Sequence, residues 1–132
     1  MNLKNYLLEY VSSGRRKRID TSVEPDTVLK PGDIVRIKDE KWFNSLKKSN
    51  GNGQASVDKD GVVMWFSQAM TEFLGEKVVI VRVPDKDDKD DRHDGNYHYG
   101  NFYPIYKVEL ADGSNSDIGK FLFTNDMLEY VS

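Results

Sequence analysis

Lys30-Pro31-Gly32-Asp33-Ile34-Val35-Arg36-Ile37-Lys38 decides how the rest of the chain is read. Pro31-Gly32 suits the central pair of a type II turn, where proline presets φ and glycine takes the positive φ of the second position. Beyond the turn, Val35 and Ile37 fall on one face and Arg36 and Lys38 on the other, the two-residue period of a half-buried strand. Downstream, Gly61 to Phe66 reads as apolar extended chain. Ser67 then caps a short helix with Ala69, Met70, Phe73 and Leu74 on one face, ended by Gly75. Val78 to Val83 is apolar on both faces, which predicts a central strand, and Pro84 stops it.

Phe102, Tyr106, Val108 and Leu110 alternate with Tyr103, Ile105, Lys107 and Glu109, predicting the longest strand. Ala111-Asp112-Gly113-Ser114 is a hairpin-type turn with Asp-Gly at its centre. Ile118 to Phe123 reads as a returning strand, Thr124 as the cap of a single turn, and Leu128 to Val131 as a last short strand. Two stretches break the pattern. Residues 41–61 hold Trp42, Phe43 and Leu46 and then Ser49-Asn50-Gly51-Asn52-Gly53, expected to form a long mobile excursion. The Asp/Lys run from Asp85 to Asp94 reads as a solvated loop. Five short strands in about a hundred residues predict a mainly β fold that curls into a small barrel and so hides its edges. The barrel is expected over 27–132.

Ahead of it lies an arm, residues 1–26. Leu3, Tyr6, Leu7, Tyr10 and Val11 recur at helical spacing, predicting a short amphipathic helix over 2–12 with Asn2 as cap and Ser12-Ser13-Gly14 as stop. A helix this short is marginal alone in water, so its stripe needs a surface to lie on. Arg15-Arg16-Lys17-Arg18 and the polar residues to Asp26 read as a linker.

Composition narrows the chemistry. The 132 residues include no cysteine, which excludes disulfides, thiolate nucleophiles and cysteine-ligated metals. No apolar run approaches the roughly 18 residues of a membrane-spanning helix, so no membrane partner is expected. The N-terminus lacks the layout of a secretory signal, which points to reducing surroundings: a bacterial cytoplasm or a virion. The net charge of -3 hides an asymmetry. Residues 1–18 carry five basic side chains against Glu9 alone, whereas 84–94 carry six aspartates against three basic residues.

The order "PGD-hydrophobic-V-R-I … LG-x-x-V-x-I … Y-x-V … DG … F-x-F-T-x-D-M-L", carried by Pro31–Ile37, Leu74–Ile80, Tyr106–Val108, Asp112-Gly113 and Phe121–Leu128, resembles the small SH3-like barrels of uncharacterised phage and prophage proteins. The likeness spans about residues 27–132 and rests on turn, strand and cap signals. It implies an SH3-like barrel of about five strands with short helical insertions, and a phage or mobile-element origin. It implies no activity, because such barrels host many functions.

No catalytic motif stands out. His93 and His98 lack a third ordered zinc ligand, and Ser56-x-Asp58-x-Asp60-Gly61 has Ser67 where a calcium loop needs a bidentate glutamate. There is no nucleophile elbow, P-loop or dinucleotide fingerprint. The expectation is therefore a non-enzyme without metal or cofactor. Candidate partner-binding residues are Leu3, Tyr6, Leu7 and Tyr10 on the arm's stripe, Arg15, Arg16, Lys17 and Arg18 beside it, and the aromatics Trp42, Phe43, Tyr97 and Tyr99. An apolar stripe flanked by positive charge predicts docking onto a protein partner or a second copy, as in virion assembly. The alternative is a nucleic-acid-binding accessory protein using the basic run and surface aromatics. Finally, Leu-Glu-Tyr-Val-Ser occurs twice, at 8–12 and at 128–132. That repeat raises the prospect of strand exchange between copies.

Overall fold

The structure, a computed structural model, describes residues 21–85 and 102–131. Its strands are β1 (Ile34–Ile37), β2 (Lys48–Ser49), β3 (Asn52–Val57), β4 (Val63–Phe66), β5 (Lys77–Arg82), β6 (Ile105–Leu110), β7 (Phe123–Thr124) and β8 (Leu128–Tyr130). One α-helix, α1 (Glu40–Ser45), and 3-10 turns at Gln68–Phe73, Asp117–Lys120 and Asn125–Met127 lie between them. The fold is mainly β. A five-stranded sheet runs β7-β6-β5-β1-β8, every neighbour antiparallel, and a small sheet runs β2-β3-β4.

The large sheet has to curl. β7 and β8 are its opposite edges, yet only Asn125–Met127 separates them in sequence. Four inter-strand steps of about 4.8 Å would hold the edges of a flat sheet roughly 19 Å apart. Even straight chain from Thr124 to Leu128 spans at most about 14 Å, and a 3-10 turn covers far less. Bending the sheet into a half-barrel brings the edges together. Its concave face holds the core, with Val35, Ile37, Val78, Ile80, Tyr106, Val108, Phe123 and Leu128 all essentially inaccessible to water.

Several expectations hold. Gly32 has φ +97, and Asp33 N–H donates to the Lys30 carbonyl at 2.9 Å, closing the Pro31-Gly32 turn. Val35 and Ile37 face inward, and β5 lies in the middle of the sheet.

Others are corrected. The excursion expected at 41–61 is ordered. Asp39 caps α1 by accepting from Trp42 N–H at 3.0 Å. Asn50 (φ 53) and Gly51 (φ +85) then form the two-residue loop of a β2–β3 hairpin, pairing Ser49 with Asn52. Positive φ at both positions matches the right-handed twist of the strands. Gly53 must be small, since a Cβ there would stand 2.8 Å from Leu46 Cδ1 and 3.0 Å from Phe43 Cε1. The helix expected after Ser67 is a 3-10 turn, whose three-residue period buries Met70 and Phe73 but leaves Ala69 exposed. Ile118 is not in a strand: Ser116 Oγ accepts from its N–H at 3.1 Å, starting the 3-10 turn Asp117–Lys120, and the returning strand shrinks to Phe123–Thr124. β6 is six residues long, no longer than β3 or β5, and buries Ile105 and Tyr106 in succession. Of residues 21–26, read as linker, 21–23 lie along β8: Tyr130 N–H donates to the Thr21 carbonyl at 2.8 Å and Val23 N–H to the Leu128 carbonyl at 3.1 Å. Val23 is buried in the core. The rest of the arm, with the helix expected at 2–12, lies outside the described residues, as does the acidic run beyond Asp85.

Phe66 joins the two sheets. It is fully buried and meets Trp42 edge-on at 5.2 Å between ring centres, Phe43 at 5.7 Å and Phe123 of β7 at 6.4 Å. Nearby, the Ser56 and Thr124 hydroxyls pair at 2.8 Å, so Thr124 Oγ1 serves the sheet-to-sheet contact. No helix among the described residues is long and apolar enough to cross a membrane. Truncating Phe66 removes three aromatic contacts at once. Phe66→Ala should cost about 3–5 kcal/mol of stability by chemical denaturation, with α1 losing protection from hydrogen exchange before the large sheet.

Candidate functional site

Residues 21–29 form a strap across one end of the half-barrel, held by two buried polar side chains. Asn125 opens the 3-10 turn that links the sheet edges, and its amide points at the strap. Nδ2 donates to the carbonyls of Thr27 at 2.7 Å and Glu24 at 2.9 Å, with the Pro25 carbonyl at 3.4 Å. Carbonyls accept only, so they fix which end of the amide faces them. Oδ1 is left to accept from the Tyr106 hydroxyl at 2.7 Å. That hydroxyl in turn accepts from Leu29 N–H at 3.1 Å. At the rim, Tyr130 donates to Glu24 Oε1 at 2.6 Å, and Thr27 Oγ1 reaches the same oxygen at 3.1 Å.

Burial pushes the Tyr106 hydroxyl above its ordinary pKa, the bond from Leu29 opposing the shift in part. Tyr130 is raised too, by desolvation first and by its bond to Glu24 second.

Beside this network lies a shallow open depression of about 140 Å³. Pro25 of the strap, Ser56 and Val57 of β3, Phe102 to Pro104 ahead of β6, and Thr124 to Asp126 line it. Val57 is 53% and Tyr103 41% exposed, so the rim offers apolar surface to solvent. One carboxylate, Asp126, stands there in water. The Asn125 amide is already committed to the strap and the Ser56 and Thr124 hydroxyls to each other. The depression can take an apolar side chain, with Asp126 placed to meet a neighbouring cation.

The residues expected to bind a partner fall differently. Leu3, Tyr6, Leu7, Tyr10, Arg15, Arg16, Lys17, Arg18, Tyr97 and Tyr99 lie outside the described residues. Trp42 and Phe43 are described and sit away from the depression, half-buried against Phe66 at the edge of the core. Lys38 Nζ lies 5.7 Å from the Trp42 ring centre and Lys48 Nζ 4.5 Å from that of Phe43. Lys48 also donates to the Phe43 and Leu46 carbonyls, fixing it over the ring. The pair therefore closes the core's edge. Asp58 spends its carboxylate on its own turn, accepting from Asp60 and Val62 N–H at 2.8 Å each. Among the described residues no three His, Asp or Glu side chains converge. Tyr103, Val57, Asn125 and Tyr106 were not singled out as site residues from sequence. The signal available was Tyr103 beside Pro104, within a run of aromatics that includes Tyr97, Tyr99 and Phe102.

Compared with protein-family models, curated proteins and solved structures, the chain matches none of them.

Two measurements test the network. Asn125→Ala strips three carbonyls and one hydroxyl of a partner and should destabilise by about 1–3 kcal/mol or more, with exchange protection lost first at Leu29. The pH dependence follows from the raised tyrosines. Below about pH 10 both folded and unfolded chains keep these protons, and stability is unaffected by them. Above it the unfolded chain releases protons that the folded chain retains, so stability falls. The limiting slope is about 1.4 kcal/mol per pH unit for each fully retained proton. Denaturation midpoints between pH 8 and 11.5 should show this decline, and Tyr106→Phe, less stable throughout, should show a shallower one.

Proposed function

We propose that this chain is a non-catalytic binding or assembly module: an SH3-like barrel whose N-terminal arm docks onto a protein partner, within a phage particle or a phage-encoded complex in a bacterial cytoplasm. The topology supports the barrel identity, since a single 3-10 turn carries the chain from one edge of the curled sheet to the other. The observation that carries the functional reading is the strap. With Thr21 bonded to β8 and residues 24–29 held by Asn125 and Tyr106, the chain is anchored to the body from a fixed point three residues after Arg18. An arm with an apolar stripe and a basic flank, leaving a rigid body at a defined place, can present both to a partner at little further entropic cost in the anchor. The depression adds a second apolar foothold with one negative charge at its rim.

The strap also says where a truncation must stop. Removing residues 1–19 leaves every strap bond in place, whereas removing 1–26 takes Val23 from the core and two carbonyls from Asn125. The first truncation should keep the full chain's denaturation midpoint, and the second should lose several kcal/mol. Affinity capture from phage-bearing bacterial lysates should recover a defined protein with the full chain and not with the 1–19 truncation. The nucleic-acid alternative gives a different pattern. Mixed-sequence DNA or RNA would then bind with steep salt dependence, and replacing Arg15, Arg16, Lys17 and Arg18 with alanine would abolish it. No salt-sensitive binding at low ionic strength removes that alternative. Equal capture by both chains overturns arm docking.

A further inference from the structure

The place that β8 occupies between β1 and the strap is a strand-sized slot, and the chain carries two sequences that fit it. Every side chain that β8 uses there is known. Leu128 is fully buried opposite Ile37. Glu129 pairs with Arg36 on one side and Ser22 on the other, and accepts from Thr21 Oγ1 at 3.3 Å. Tyr130 sits opposite Val35, and its hydroxyl reaches Glu24. Residues 8–12 repeat Leu128–Ser132 without a change, and Leu7 stands where Met127 does. We propose that the β8 slot is a strand-binding site with a second ligand in the same chain, the arm segment Leu8–Tyr10, which takes the slot when β8 leaves it.

Direction and connection favour the chain's own arm over that of another copy. β8 runs antiparallel to residues 21–23, with Glu129 opposite Ser22. An arm segment folding back on 21–23 as a hairpin is also antiparallel, and it lies in the same position, next to the strap. In the β8 register Tyr10 stands opposite Thr21, leaving residues 11–20 as the loop, and these include Ser12-Ser13-Gly14. A tether this short gives the segment an effective concentration far above that of a second molecule. The same three residues, Leu-Glu-Tyr, already form strand at 128–130, so the sequence is competent for it. Closing the ten-residue loop costs entropy that β8, joined by a three-residue turn, does not lose. β8 is therefore the resident and the arm the minor occupant. When the arm holds the slot, the C-terminal strand is released and the arm is withdrawn from any partner.

The test uses the absence of cysteine. Glu9→Cys with Arg36→Cys places thiols across the register that Glu129 and Arg36 share, and Asn2→Cys with Arg36→Cys is the control. Oxidation of the full chain should give a disulfide within monomers in severalfold higher yield than the control. A yield no higher than the control, or crosslinking confined to dimers, overturns the proposal. In a chain ending at Met127, where β8 no longer competes, that yield should rise further and cooperative unfolding should persist, and adding Leu8→Asp should abolish both. Loss of cooperative unfolding on truncation alone, or its survival with Leu8→Asp, overturns the proposal as well.

Discussion

Three residues, Asn125–Met127, have to carry the chain from one edge of a five-stranded sheet to the other, and most of the architecture follows from that short reach. A sheet whose first and last strands are tied this closely must bend, and bending gives it the concave face on which Val35, Ile37, Val78, Ile80 and Val108 exclude water. The outer side of β8 is covered by the strap, which pairs with it at Ser22, so that edge is not left open to another chain. The same turn supplies Asn125, so the element that closes the sheet also grips the strap. Geometry and polar bonding thus meet in one place, and loosening the turn would release both.

Around this half-barrel the small sheet and α1 act as a side wall. They are held by aromatic packing on Phe66 and by a hydroxyl pair between Ser56 and Thr124. The surface ion pair of Lys120 with Asp117 is exposed and contributes little. The depression lies along this junction, where β3 meets the turn and the strap. Apolar surface there comes from β3, from the chain just ahead of β6 and from the strap.

How much of this was legible in the sequence varied with distance along the chain. Pro31-Gly32 and the alternation Val35/Ile37 are local signals, and they identify β1 and its turn. Val78–Val83, apolar on both faces, is rightly central. The stretch 41–61 misled because its glycines read as looseness. Asn50-Gly51 is in fact a short hairpin signal, and Gly53 is small because Leu46 and Phe43 crowd it. Ile118 misled because one apolar residue in a polar run looks like strand until Ser116 is seen capping a turn. Least legible were Tyr106 and Asn125, whose strap partners Leu29 and Glu24 lie 77 and 101 positions upstream. No periodicity marks a side chain that bonds to distant backbone, and the composition of residues 21–26 concealed their place in the sheet.

The grip on the strap has a consequence for how the chain can change over time. Asn125 recognises main-chain oxygens of Glu24, Pro25 and Thr27, which every amino acid carries, so side chains at those positions can drift while the hold persists. The amide and the phenol that provide it have no such latitude. A lineage could therefore rewrite the lead-in to its arm without rebuilding the body that carries it.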